Sequence, residues 1–151
     1  MIVIAEKQEL KLVKQLGYEN EPVIITGVGA INVINALKDL PKDTEIINIG
    51  YTGSLYFPIG TVVQISDVNT YHEIANFKEY HKVLSINIKE KYNYVGKCYT
   101  STDFVLKTNT KEPCVFDMEL AYIASMFKNV RAIKVVSDKL SYAEFKKKGD
   151  K

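Results

Sequence analysis

Arg131-Ala132-Ile133-Lys134-Val135-Val136-Ser137-Asp138 is the stretch on which the fold turns. Its apolar, largely β-branched centre reads as a buried strand that delivers Ser137 and Asp138 at its C-terminal end. Just upstream, Leu120, Ile123, Ala124 and Phe127 recur at helical spacing from a start near Met118, so a helix feeds this strand. The same alternation runs through the first third of the chain. Ile2 to Ala5 reads as a strand, and Glu6 to Leu16 as a helix with its stripe at Leu10, Val13 and Leu16, stopped by Gly17. Val23 to Thr26 is a second strand. After the turn Gly27-Val28-Gly29 a helix carries Val33, Ile34, Leu37 and Leu40 until Pro41. Glu45 to Ile49 gives a third strand, followed by a tight turn in which Gly50 and Gly53 bracket Tyr51 and Thr52. Thr61 to Ile65 gives a further strand after the turn signal Pro58-Ile59-Gly60. From Tyr71 to Tyr99 periodicity fades into a loop or an antiparallel excursion, with possible strands at Val83 to Ile88 and Tyr92 to Tyr99. The pattern predicts one α/β domain over residues 1–151: a mostly parallel, mixed sheet with helices on both faces, in three αβα layers. In such sheets ligands sit beyond the carboxyl ends of the strands, where both Gly50 to Gly53 and Ser137-Asp138 fall.

Composition narrows the function classes. Twenty basic and eighteen acidic residues leave a net charge of +2, far from the single-sign balance of a nucleic-acid binder. The terminal Lys146-Lys147-Lys148 reads as a solvated end. Cys98 and Cys114 form no spaced zinc motif with His72 and His81, so no metal or cofactor is expected, and a reduced, cytoplasmic setting is the simplest reading. No run of about eighteen apolar residues predicts a membrane span.

Several residues carry candidate chemistry, each with a plainer alternative. Asp138 is either a helix cap or a carboxyl group emerging from an apolar wall that raises its pKa enough to carry a proton near neutrality. Asp117-Met118-Glu119 opens a helix, where acidic residues suit the helix dipole. Capping explains Asp117, whereas Glu119 is placed to accept hydrogen bonds from vicinal sugar hydroxyls. Glu9 is either an exposed helix carboxylate or a group at the same rim. Phe104, amid polar neighbours, is a core anchor or a platform for a planar base. Gly27-Val28-Gly29 lacks the third glycine of a dinucleotide fingerprint and is a bare turn, or a turn whose free amides hold an anion.

Taken in order along the chain, Glu9, the Gly27-Val28-Gly29 turn, Asn48 to Leu55, Gly60 to Val63, Tyr71-His72, Phe104-Val105, Phe116 to Ala121 and Val136-Ser137-Asp138 resemble the nucleoside phosphorylase and nucleosidase family. The likeness is greatest to the nucleosidases that cleave 5′-methylthioadenosine and S-adenosylhomocysteine. The resemblance implies a phosphorylase/hydrolase-like fold and hydrolysis of the N-glycosidic bond of an adenosine-type nucleoside. It makes Asp138 the acid that protonates purine N7 and Glu9 the activator of the attacking water. Met118 and Glu119 would hold the ribose, Phe104 would stack on the purine and Val105 would read its edge through the backbone, with Ser137, Tyr51, Thr52 and Gly53 lining the site. It also implies a homo-oligomer, a dimer, with a small-molecule purine nucleoside as ligand and neither nucleic acid nor membrane as partner.

Phosphorolysis would need a dense donor site for phosphate. Arg131 is the sole arginine and starts its strand at the far end from Asp138, which favours water as nucleophile. The chain departs from the family pattern by its compressed 71–99 stretch, its short segment after Asp138, Tyr51 in place of a small residue, and Lys139-Leu140 after the acid. A binding module of the same fold with little or no activity is the alternative to the enzyme, and a purine nucleoside phosphorylase the third reading.

Overall fold

The computed structural model describes residues 1–70, 80–82, 94–101 and 111–140. Eight strands are present among them: β1 (Ile2–Ile4), β2 (Val23–Ile25), β3 (Glu45–Gly53), β4 (Val62–Thr70), β5 (Tyr80–Lys82), β6 (Tyr94–Thr100), β7 (Cys114–Asp117) and β8 (Asn129–Asp138). Three helices accompany them: α1 (Leu10–Gln15), entered through a 3-10 turn at Lys7–Glu9, α2 (Ala30–Leu37) and α3 (Leu120–Met126). Alternating strands and helices, inferred from the spacing of apolar residues, are therefore found.

The sheet is mixed. β3 runs parallel to β1 and β8, and β1 is parallel to β2. A second parallel group, β4, β6 and β7, runs the opposite way and joins the first where β4 pairs antiparallel with β8 and β7 meets β3 at Gly53 and Phe116. Each strand of the circuit β3, β8, β4, β6, β7 thus has a neighbour on both sides, and the sheet closes on itself. The mixed sheet is the expected one, but its closure corrects the expected three-layer αβα arrangement. β8 offers two full edges; β3 takes one, and β4 takes the other over Val62 to Gln64 instead of leaving an open sheet edge.

Helices do cover opposite faces. Leu12 and Val13 of α1 pack on Ile2, Ile4 and Ile49. On the other face Val33 and Leu37 of α2 and Leu120 and Ile123 of α3 pack with Val3, Ile46, Ala132 and Val136. The alternating direction of strand side chains explains the division.

The segment from Gly50 to Gly53 is a second correction: it is the last part of β3, with no turn. Glycine stands there because neighbouring side chains approach the strand too closely for a Cβ. The structure also contains β7, which the apolar pattern did not reveal, and carries β4 to Thr70, beyond the expected end at Ile65.

Leu37 is fully buried between α2 and the sheet, whereas Ile31 on the opposite side of α2 is 76% exposed. In urea unfolding followed by circular dichroism, Leu37→Ala is expected to lose about 2–5 kcal/mol of stability. Ile31→Ala is expected to stay within about 0.5 kcal/mol of the parent.

Candidate active site

Parallel pairing of β3 with β8 sets Gly50 opposite Lys134 and Gly53 opposite Asp138, with a register shift between Thr52 and Gly53. Asp138 is fully buried at the strand end. Its Oδ2 accepts a hydrogen bond from Ser137 Oγ at 2.9 Å, and Oδ1 accepts one from the Leu140 amide at 2.9 Å. The chain makes that bond by turning through Leu140 at φ +66°, a left-handed conformation rare for a leucine and a mark of local strain. The Leu140 side chain is repaid by burial against Cys114 and Phe116. A Cβ on Gly53 would stand 2.7 Å from Leu140 Cδ2 and 2.8 Å from Asp138 Oδ1, so the acid and its turn close over a residue without a side chain.

Four residues earlier on β8 stands the group that sequence reading passed over. Lys134 shares a strand face with Ala132 and Val136, and its side chain is 1% exposed. Its ammonium lies 3.0 Å from Asp117 Oδ2. Asp117 also accepts Thr100 Oγ1 at 2.5 Å on Oδ1 and the Leu120 amide at 2.8 Å on Oδ2. The expected cap is therefore present, but it is the smaller part of the residue's work. A cap is worth about 1 kcal/mol, whereas removing one member of a buried ion pair costs about 3–5 kcal/mol. Burial alone would raise the Asp117 pKa, yet Lys134 and the hydrogen bonds hold it below the ordinary carboxylate value. Burial alone would lower Lys134, but Asp117 first, then Cys98, Glu119 and Glu9, hold it above the ordinary ammonium value. Both directions describe a charged pair.

Glu9 is buried beside this pair. Oε1 accepts the amides of Ala5 and Glu6, both at 2.9 Å, and Oε2 accepts that of Tyr51 at 2.7 Å. A carboxylate has about four lone-pair directions, so one on Oε2 stays open to a proton. Burial raises the Glu9 pKa, opposed in part by Lys134 and the three amides. A Cβ on Gly50 would meet Glu9 Oε2 at 2.7 Å and Lys134 Nζ at 3.3 Å. That absent side chain is the space both groups use.

Glu119 precedes α3 and reaches back across the fold, where Oε2 accepts the Gly29 amide at 3.0 Å. At the Gly27-Val28-Gly29 turn ahead of α2, the Gly29 amide is thus taken by the protein's own Glu119 carboxyl group. Burial and then the charge of Asp117 push Glu119 up to about 8, with Lys134 and the Gly29 amide acting the other way.

The residues picked from sequence fall into two groups. Glu9 and Glu119 gather around Lys134, and Met118 lies between Asp117 and Glu119, half-buried. Asp138, Ser137 and Gly53 form the strand-end group, with the Thr52 carbonyl 3.4 Å from Ser137 Oγ. Thr52 turns its hydroxyl to the Phe116 carbonyl at 2.5 Å, and Tyr51 sends its ring to the α1 side among Ile47 and Ile49 while giving its amide to Glu9. Phe104 and Val105 lie outside the described residues. The buried Asn48 Oδ1 has no hydrogen-bond partner among the described residues, although Nδ2 donates to the Val3 carbonyl at 3.0 Å.

Solved structures share this arrangement of strands. A single-residue (Asp to Asn) variant of the Chlamydia trachomatis MTAN, bound to MTA, superposes with a TM-score of 0.75 at 18% identity, covering 97% of this chain and 87% of that one. A 5′-methylthioadenosine/S-adenosylhomocysteine nucleosidase of Neisseria meningitidis, in complex with methylthio-immucillin-A, gives 0.73 at 17% identity, with 98% and 91% covered. The fold is that of the methylthioadenosine nucleosidases. A Helicobacter pylori enzyme of the same description has this nucleosidase fold too, with a TM-score of 0.68 at 12% identity over 99% of this chain and 88% of its own. No family model and no curated protein matches the sequence.

Gly50→Ala is expected to lose about 1–3 kcal/mol in urea unfolding, because the new methyl drives Glu9 and Lys134 apart. A second expectation concerns pH. Between 4.5 and about 8 the folded chain keeps a proton on Glu119 that the unfolded chain has released. This contribution is whole below 4.5 and is lost as pH rises through about 8, so the urea midpoint falls over that window and falls less in Glu119→Gln.

Proposed function

We propose that the chain is a purine nucleosidase that hydrolyses the N-glycosidic bond of an adenosine-type nucleoside such as 5′-methylthioadenosine or S-adenosylhomocysteine. The observation that carries this reading is the buried cluster of one ammonium and three carboxyl groups beside the β3 and β8 ends, in a fold shared with nucleosidases solved with MTA and with methylthio-immucillin-A. Its charge balance favours a neutral nucleophile. Lys134 is already paired with Asp117, and Glu9 and Glu119 flank it, so among the described residues of the cluster no cation is spare to offset an incoming phosphate dianion.

In the proposed reaction a water oxygen attacks C1′ as the C1′–N9 bond breaks and its electron pair passes to the purine. Asp138 supplies a proton to N7, making the base a neutral leaving group. The water proton goes to the open lone pair of Glu9 Oε2. Glu119, anchored through Oε2 at Gly29, offers Oε1 to the ribose hydroxyls, and Met118 packs on the sugar. Phe104 and Val105 keep their proposed places at the base. The division of labour between an acid at the leaving group and a carboxylate at the water is that of glycoside hydrolysis.

Incubation with methylthioadenosine, S-adenosylhomocysteine, adenosine and inosine, with and without phosphate, tests the proposal by release of free base. Release is expected without phosphate, and Asp138→Asn and Glu9→Gln are each expected to lower kcat by about 10²–10⁴-fold. Release that requires phosphate would assign the chain to phosphorolysis, and saturable binding without release would make it a binding module.

A further inference from the structure

Asp117, whose carboxylate the Cys98 thiol shares with the partners already described, is shut away from any substrate. Its two oxygens accept the Thr100 hydroxyl, the Leu120 amide and the Lys134 ammonium, and its side chain is 1% exposed. Thr100 is itself fixed, because its Oγ1 accepts the Ala121 amide at 2.9 Å. The Asp117 carboxylate is therefore locked between β6, α3 and β8, and the ammonium it holds sits against Gly50 in the same space as Glu9 Oε2. A buried ion pair is weak evidence of a stabilising role, because well-packed apolar side chains of similar volume often serve as well. This one lies beside two of the carboxylates assigned to chemistry.

We propose that Asp117 is a positioning residue of the nucleosidase site, acting through Lys134: it anchors the ammonium within reach of Glu9 and Glu119 and sets the charge that both carboxylates feel. The inference rests on the nucleosidase reading above and adds to it a residue that touches neither nucleoside nor water. Among the described residues, the ionisable groups facing the pair are Glu9 from the 3-10 turn, Cys98 from β6, Glu119 ahead of α3 and Tyr122 on α3. Burial and then Asp117 push the Cys98 thiol up, so it stays neutral and leaves Lys134 as the cluster's cation. Burial first, then Asp117 and Glu119, also push the Tyr122 phenol up. Glu119 is the group whose titration reports on Asp117, because the Asp117 charge is second only to burial in raising it.

Asp117→Asn tests the proposal, since it keeps the size of the side chain and an acceptor for the Leu120 amide but removes the charge. Expected are a kcat lower by about 10–100-fold, a KM within about threefold of the parent, and a pH profile of kcat/KM whose Glu119 limb moves to lower pH. Carboxyl-carbon NMR, with Glu119 assigned by its loss in Glu119→Gln, gives a readout that needs no turnover. The Glu119 midpoint is expected near 8 in the parent and about one unit lower or more in Asp117→Asn. A folded Asp117→Asn protein with parental kcat, pH profile and Glu119 midpoint would reduce Asp117 to a helix cap and overturn the proposal while leaving the nucleosidase reading intact. If the parent releases no base, the nucleosidase reading falls and the positioning role falls with it. A Glu119 midpoint that still moves would then show electrostatic coupling alone. Should Asp117→Asn not fold, Thr100→Val removes one hydrogen bond from the same carboxylate. A fall in kcat of about threefold or more with a shifted Glu119 midpoint supports the proposal, and parental values for both overturn it.

Discussion

An ammonium group shut away from water has to find a negative partner or give up its proton. Lys134 is in that position, and the site is organised around the way the chain meets the demand. Asp117 supplies the partner at 3.0 Å, Thr100 and the Leu120 amide hold Asp117 still, and Gly50 gives up its side chain so that the ammonium and Glu9 can share one space. Each of these lies on a different element, so the charge pair ties β3, β6, β7, β8 and α3 to a single arrangement. The parts that carry the proposed chemistry are attached to that frame: Glu9 by three amides, Glu119 by the Gly29 amide, and Asp138 by Ser137 and the turn at Leu140.

Sequence made some of this plain and hid the rest for identifiable reasons. Asp138 was legible because a strand of apolar residues ending in a carboxylate is a local pattern, and the structure puts that carboxylate beside the end of β3. Gly50 and Gly53 looked like a turn because glycine breaks a pattern whether it bends the chain or makes room. Only the neighbours, Glu9 and Lys134 at one glycine and Asp138 and Leu140 at the other, distinguish the two cases, and they are remote in sequence. Lys134 was overlooked because a lysine within an apolar strand is usually read as the solvent-facing member. Its parity with Ala132 and Val136 was the available signal, since those residues share its face and are core.

Closure of the sheet was less accessible still. Nothing in the apolar run of β4 tells that it will pair antiparallel with β8, and β7 is four residues long, too short to stand out beside Pro113. Side-chain periodicity reports which face of an element is covered but says nothing of which strand lies beside it. The reading of Asp117 shows the same limit. Its position before a helix correctly indicated a cap, and the ion pair, which depends on β8 lying alongside, could not be seen from that position.

The pairing of β8 with both β3 and β4 also constrains the order in which the protein can come together. β3 and β4 are neighbours in the chain but are not neighbours in the sheet, because the slot between them is filled by a strand made some sixty residues later, on the order of the separations that slow folding. Until that strand arrives, two apolar edges stand open and the pocket for the buried lysine has no occupant. Closure of the sheet and burial of the Lys134–Asp117 pair therefore depend on the same strand.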